Sequence, residues 1–411
     1  MKKALLGTTA LVAGGLMAAP SAFAADPIKL ELRGYMQSMI TVGHVDRDVV
    51  GGTTGQSYRP ENFRYEGEIW FTGTTKLDNG TSIGIRVELE GWSQNPGVSA
   101  ANPTGTADQL DHEYIFAFGD WGRIEFGGND SVSYNMQYSS PSALLGWGFN
   151  DHNFNHFGAG FAAANNAGRG GNILGTGAAQ NAGFSGDANK LNYYTPRFAG
   201  FQFGLGYTPS FGVGAIVSCN SRAGGANHPN CPRNQNLWHN GIDVSANYLN
   251  KFGDVSVALY GAYATAGFDR GAAGTGGAAA PSIFGRYKTW AAGAQIGFSG
   301  FTLGGGLGRD NQGLRGSNAT NWYTASLMYE TGPWQLSAGW WGGRNKDGNG
   351  VAGAQNAAGK DKLDYFELGA NYALSPGIKL TGGALMYMGS GQSKSEKADS
   401  WAIVFGTALT F

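Results

Sequence analysis

The chain has 411 residues with 28 basic and 29 acidic side chains, and this even balance argues against a nucleic-acid partner. Glycine is abundant at 70 residues, but an aromatic share of 13 % excludes a disordered low-complexity chain. Charged residues are only 14 %, and beyond residue 24 no apolar run is long enough for a spanning helix. A membrane role would therefore need a closed barrel, since lipid offers no other way to satisfy an extended backbone.

In chain order, Met1–Ala24 reads as a signal peptide. Lys2 and Lys3 form a positive start, Leu5–Ala19 is apolar, and Ala22-Phe23-Ala24 is a small-x-small cleavage site. Ala25 is the expected mature N-terminus, leaving 26 basic residues against 29 acidic. Residues 25–411 show no linker, charge block or change of period, so they read as one domain.

Strands then recur. Ile28–Val42 sets Leu30, Leu32, Met36, Ile40 and Val42 against Lys29, Glu31, Arg33, Tyr35 and Gln37. Gly43–Phe63 reads as a loop, Arg64–Thr75 as a strand, Leu77-Asp78-Asn79-Gly80 as a hairpin turn, and Thr81–Glu90 as its return strand. Asp111–Phe118 and Arg123–Gly128 follow. Asn129–Asn189 is the longest irregular stretch, and a loop of that length is functional where the assignment holds. Five hairpins come next: Lys190–Thr195 with Phe201–Tyr207, Gly241–Leu249 with Val255–Thr265, Lys288–Phe298 with Phe301–Arg309, Trp322–Glu330 with Trp334–Gly342, and Leu363–Leu374 with Ile378–Met388. Of these, Ile378–Met388 alternates least cleanly. Ser400–Phe411 closes the chain, with Trp401, Ile403, Phe405, Leu409 and Phe411 on one parity and an aromatic last residue.

The count is about sixteen strands, with short turns at one end and long loops at the other, an even number within the range of outer-membrane barrels. A soluble sandwich alternates in the same way strand by strand. Strand length, the regular exchange of turn and long loop, and export without a spanning helix favour the barrel. The expected fold is all-β, a transmembrane antiparallel β-barrel. Trp322, Tyr329, Trp334, Trp340, Tyr365 and Tyr372 fall near strand ends, as interfacial girdles do.

The ordered set of signal end, Glu-rich Arg64–Glu90 hairpin, Glu113–Gly128 hairpin with its long following loop, and terminal Phe411 resembles the trimeric general porins of Gram-negative outer membranes. That resemblance covers essentially the whole chain after the signal. It implies a homotrimer in outer-membrane lipid and lipopolysaccharide, and a water-filled pore narrowed by a third loop, here Asn129–Asn189. It also implies that Phe411 is read by the barrel-assembly machinery.

The inward parity of the first strands carries Lys29, Arg33, Arg64, Arg86 and Arg123. Arg or Lys facing lipid at the midplane would cost about 2–4 kcal/mol, so these belong to the lumen. The resemblance implies third-loop carboxylates opposite them, for which the candidates are Asp130 and Asp151. Together they would form a constriction with a transverse field that orients dipolar solutes and disfavours apolar ones. The competing reading pairs the arginines with Glu66, Glu68, Glu88 and Glu125 on their own wall. Trp147, Phe149 and Phe154 of the loop either anchor it to the wall or offer stacking to a sugar, and loop anchoring is the commoner use.

Cys219 and Cys231 share one loop of an exported chain, which points to a disulfide. Zinc with His228 and His239 lacks the usual close Cys pair. No cofactor is expected. Relatives hold calcium in loops, for which Asp46, Asp48, Asp108 and Asp111 are candidates without EF-hand spacing. Gly80–Gly84 has the letters of a nucleophile elbow but leads into a strand, not a helix. Gly170–Gly175 has P-loop glycine spacing, with Thr176 where lysine is needed. The sequence therefore reads as a non-enzymatic outer-membrane channel for passive diffusion of small hydrophilic solutes. The alternative is a channel selective for sugars or anions, with a low-affinity site in the third loop.

Overall fold

The computed structural model describes residues 27–48, 60–90, 110–149, 182–183, 185–186, 188–211, 238–268, 285–311, 313, 319–347, 359–390 and 397–411. Among these are sixteen strands: β1 (Lys29–Asp48), β2 (Glu61–Lys76), β3 (Ser82–Glu90), β4 (Glu113–Gly119), β5 (Gly122–Gly128), β6 (Asn189–Tyr194), β7 (Phe201–Phe211) and β8 (Trp238–Phe252) form the first half. The second half is β9 (Val255–Phe268), β10 (Tyr287–Phe298), β11 (Phe301–Asp310), β12 (Ala319–Thr331), β13 (Trp334–Asp347), β14 (Gly359–Ser375), β15 (Ile378–Ser390) and β16 (Lys397–Thr410). Each pairs antiparallel with its sequence neighbours, and β1 pairs with β16, so the sheet closes on itself.

The alternation of side chains explains the closure. Leu30, Leu32, Met36 and Ile40 of β1 are exposed, while Gln37, Met39 and Thr41 between them are buried. In β16, Trp401, Ile403, Phe405 and Leu409 are exposed, and Ala402, Val404 and Ala408 are buried. A closed sheet has one convex face, and here it carries the large apolar side chains. Lipid is the solvent that such a face suits, and closure leaves no unpaired edge in it.

The seam is secured by the last residue. Gly34 and Phe411 exchange two backbone hydrogen bonds of 3.0 Å. A Cβ on Gly34 would lie 2.7 Å from the Phe411 ring, so glycine lets that ring lie flat across the join. At the short-turn end, outward aromatic pairs span neighbouring strands: Phe201 with Tyr248 at 4.6 Å, Phe301 with Tyr329 at 4.3 Å, and Trp334 with Tyr372 at 4.7 Å. They form one girdle of the apolar band.

Several strands run further than the sequence pattern suggests. Gly43–Asp48 and Glu61–Phe63, read as loop, belong to β1 and β2; Thr208–Phe211 and Trp238–Asn240 likewise belong to β7 and β8. Ladder hydrogen bonds continue there, carried by the backbone where the sequence no longer alternates cleanly. The irregular stretch after β5 also contains one helical turn, α1 (Val132–Asn135), capped by Ser131, whose hydroxyl accepts from the Tyr134 amide at 3.2 Å.

Candidate functional site in the barrel interior

After β5 the chain does not leave the barrel end; Asn129–Phe149 lies against the inward side chains of successive strands. The Ser133 amide donates to Asp243 of β8 at 3.2 Å, and the Tyr260 hydroxyl of β9 donates to the Ser133 carbonyl at 2.8 Å. Gln295 of β10 donates to the Ser139 carbonyl at 2.7 Å, and Ser326 of β12 to that of Pro141 at 2.6 Å. The Ala143 amide donates to Ser337 of β13 at 2.9 Å. On β14, Glu367 accepts from the Ser142 hydroxyl and, at 2.8 Å, from the Phe149 amide. The run ends with the Arg64 guanidinium of β2 over the Trp147 ring, 4.5 Å from its centroid. Segment 129–149 is therefore a strap laid along the inner wall from β8 to β14 and on to β2.

The wall beneath the strap is shaped for it. A Cβ on Gly293 would meet the Tyr138 carbonyl at 2.1 Å, and one on Gly304 the Ser139 carbonyl at 2.6 Å, so only glycine allows backbone to lie on backbone there. Further on, the inner faces of β14–β16 turn apolar. Leu363, Tyr365, Leu385, Tyr387, Ala402 and Val404 form one buried cluster with Leu144, Trp147 and Phe149 of the strap. This accounts for the poor alternation of β15: its inward positions include Leu385 and Tyr387 because the strap covers them. Trp147 and Phe149 are 0 % exposed, which leaves neither ring face open to a sugar. Phe154 lies outside the described residues.

The arginines singled out in the sequence stand on the inner faces of β1–β5, each beside a carboxylate two residues away. Arg33 pairs with Glu31 at 2.9 Å, Arg86 with Glu88 at 2.6 Å and Arg123 with Glu125 at 2.6 Å. Like Arg64 on Trp147, two more lie on rings, Arg86 at 4.7 Å from the Trp70 centroid and Arg123 at 4.4 Å from that of Phe116. Such cation–π contacts hold a guanidinium flat against the wall. Glu68 accepts from Tyr35 at 2.8 Å and from the Trp70 indole at 3.0 Å; Glu66 accepts from Gln37 at 2.6 Å. The inward aromatics Trp70, Tyr114 and Phe116 were not legible as site residues. In Glu113–Gly119 both parities carry apolar side chains, so nothing marks which faces water.

Asp130 lies near this same wall. Its carboxylate is 3.5 Å from Nε2 of His112, whose Nδ1 is 3.2 Å from Glu88. The structure thus sets Asp130 in a chain with Arg86, Glu88 and His112. Asp151, Cys219 and Cys231 lie outside the described residues, as do Asp108 and the side chains of Asp46 and Asp48. Glu88, Asp111 and His112 bring their donor atoms within 4.8 Å of one another. An imidazole and a carboxylate already held by Arg86 do not fit calcium, which takes six to eight oxygens. Gly80–Gly84 runs from the turn into β3, without the helix that a nucleophile elbow requires.

Among known proteins, the family model for Gram-negative porins matches residues 7–392. No curated protein matches. Solved structures do. The anion-selective porin of Comamonas acidovorans is 16 % identical with a TM-score of 0.57, covering 93 % of this chain and all of its own. A loop-deletion form of the Vibrio cholerae outer-membrane protein OmpT is 10 % identical with a TM-score of 0.55, covering 94 % of this chain and all of its own. A porin refined at 1.8 Å is 13 % identical with a TM-score of 0.52, covering 93 % and 100 %.

Proposed function

This chain belongs to the Gram-negative porin family, and we propose that its channel is a passive pore narrowed by the strap, whose field is set by paired charges on β1–β5. It is an outer-membrane channel for passive diffusion. The observation that carries this reading is the parity of the closed sheet, with apolar side chains outside and hydrogen-bonding groups inside. Solutes cross down their gradient, and no side chain forms or breaks a bond. Selection comes from width and from the free energy of exchanging bulk water for the pore lining.

The strap supports the narrowing. It fills part of the cross-section with a segment fixed at many points. Arg64, Arg86 and Arg123 with Glu66, Glu68, Glu88 and Glu125 make the wall of β2–β5 richer in carboxylates than in arginines. We therefore expect a weak preference for cations, unlike the similar Comamonas protein described as anion-selective. Asp130 and Asp151 would add to it. A homotrimer accords with the trimer form of a similar fold. Phe411 serves both the seam and recognition by the assembly machinery, Cys219 and Cys231 join in a disulfide, and Met1–Ala24 is removed on export.

Planar-bilayer recording of refolded protein tests the reading. Stepwise conductance that is linear in voltage and unsaturated in salt is the expected result. Correctly folded protein, judged by heat-modifiable migration, that gives no conductance steps would end it.

A further inference from the structure

Three parts of the chain bring one imidazole and three carboxylates together on the inner wall near the head of the strap. Asp111 and His112 lead into β4, and β3 fixes both. The Asp111 amide donates to the Glu88 carbonyl at 3.0 Å, and the Glu88 amide donates to the His112 carbonyl at 2.8 Å. Asp130 belongs to the strap. Its amide donates to the Asn129 side chain at 2.8 Å, and its carbonyl accepts from Asn192 of β6 at 2.8 Å. The four side chains thus stand on backbone that is itself bonded in place, which is the support a precise site needs.

The distances around His112 decide what this cluster can hold. Nδ1 lies 3.2 Å from Glu88, within hydrogen-bond range, so Nδ1 carries the proton and Nε2 keeps its lone pair. Glu88 is in turn held by Arg86 at 2.6 Å. Nε2 faces Asp130 at 3.5 Å and Asp111 at 3.8 Å. An imidazolium would draw one of these carboxylates in to about 2.8 Å, as charge-assisted pairs do. Two ligands each about 2.0–2.1 Å from one tetrahedral ion stand about 3.3–3.4 Å apart, so the observed gaps suit a shared ion better than a shared proton. Glu88, Asp111 and Asp130 outnumber the Arg86 guanidinium, and one dication would cancel the excess. A carboxylate behind a metal-bound imidazole recurs in metal sites, where it fixes the tautomer and the ring. The His112 side chain is 14 % exposed and those of Asp111 and Asp130 are 21 % and 23 %, so the group is largely dry yet open to an entering ion.

We propose that His112, Asp111 and Asp130 bind a divalent transition metal of the zinc class at the head of the strap. Nε2 and one oxygen of each carboxylate are the ligands, and water completes the shell. Glu88 is a positioning residue that acts through Nδ1. Imidazole with carboxylate suits zinc, nickel or copper, whereas calcium takes six to eight oxygens. The bound ion ties the strap to the wall of β3 and β4 and sets two positive charges beside the Arg86–Glu88 pair. Its binding needs no conduction, so failure of the site leaves the channel reading standing, and a silent protein that still binds zinc leaves the site standing.

The test titrates purified, chelator-treated protein, folded in detergent, with zinc alone by calorimetry and with cobalt(II) alone by visible absorption. H112Q should bind zinc about 100-fold more weakly than wild type, and D130N about 10- to 100-fold more weakly. E88Q keeps an acceptor at Nδ1 but not its charge and should lose about tenfold, as outer partners of metal-bound histidines do. Cobalt(II) should give the intense visible bands of a four- or five-coordinate site in wild type and only the weak bands of the aqueous ion in H112Q. A purely structural role for His112 would not move that spectrum. Calcium in about 100-fold excess should not displace zinc, given its demand for oxygen ligands. H239Q, which removes a histidine of β8, should bind as wild type. Should H112Q fail to fold, D130N decides. Zinc affinity unchanged in folded H112Q, D130N or E88Q, an equal loss in H239Q, displacement by calcium, or cobalt(II) spectra alike in wild type and H112Q would each overturn the proposal.

Discussion

The barrel has two inner walls that obey different rules. Beneath the strap, from β8 to β14, inward groups such as Asp243, Gln295, Ser337 and Glu367 bond to the segment lying on them, and Gly293 and Gly304 let its backbone come close. On β1–β5 the inward positions are rich in arginine, glutamate and aromatic residues that satisfy one another on their own wall. The first wall is a protein interior inside a pore, and the second is a wetted surface. Period two governs both, and the polar-in pattern gives way to apolar side chains only where strap rings cover β14–β16.

The largest effect should come from the covered wall. Glu367 is 2 % exposed and accepts both from Phe149 and from Ser142. Glu367→Ala strands those donors in a dry place, costing about 2–4 kcal/mol in strap attachment. Single-channel records should show higher and noisier conductance, and protease should cut the strap sooner. A quiet channel of wild-type conductance would mean that backbone fit, not this carboxylate, holds the segment. Gly304→Val comes next: its added carbons run into Ser139 and Pro141, and overpacking of this kind costs about 1–3 kcal/mol. Gly261→Ala, where an added Cβ meets nothing within 4 Å, is the matched control and should stay within about 0.5 kcal/mol of wild type.

On the open wall the readout shifts from stability to selectivity. Arg86→Ala leaves Glu88, 4 % exposed, without its guanidinium. A carboxylate uncovered beside the water path should raise the cation-to-anion permeability ratio about two- to fivefold, equivalent to about 0.4–1 kcal/mol and modest because water screens it. Reversal potentials across a salt gradient measure this directly. A shift toward anions would show that Glu88 is not the charge that passing ions meet.

The division between these walls was only half legible in the sequence. Strand number and the facing of Leu30, Ile403 or Phe405 follow from alternation, because lipid imposes the same demand on every strand. The inner wall has no such uniform solvent. Leu385 and Tyr387 point inward as apolar residues because a segment more than two hundred positions earlier lies on them, and no local pattern encodes that contact. Trp70 and Phe116 were missed for a related reason: aromatic residues serve equally as lipid-facing side chains and as platforms for arginine. The charged pairs were different. Glu31 with Arg33, Arg86 with Glu88, and Arg123 with Glu125 are each two residues apart, and spacing alone places such neighbours on one face.

That shared spacing sharpens the smallest prediction. Arg33 and Arg86 have the same motif, the same parity and almost the same geometry, 2.9 and 2.6 Å to their acids. They differ in surroundings: the Arg33 and Glu31 side chains are 66 % and 57 % exposed, whereas those of Arg86 and Glu88 are 28 % and 5 %. An ion pair in open water contributes about 0–1 kcal/mol, and its field fades within about 8–10 Å at ordinary salt. Arg33→Ala should therefore leave thermal stability unchanged and alter conductance by no more than about a fifth, with selectivity moving less than in Arg86→Ala. At low salt, where screening lengthens to about 30 Å, the gap between the two variants should narrow. If Arg33→Ala instead matched Arg86→Ala at high salt, exposure would not be what ranks these pairs, and the path of the ions would have to run closer to Arg33 than its open position suggests.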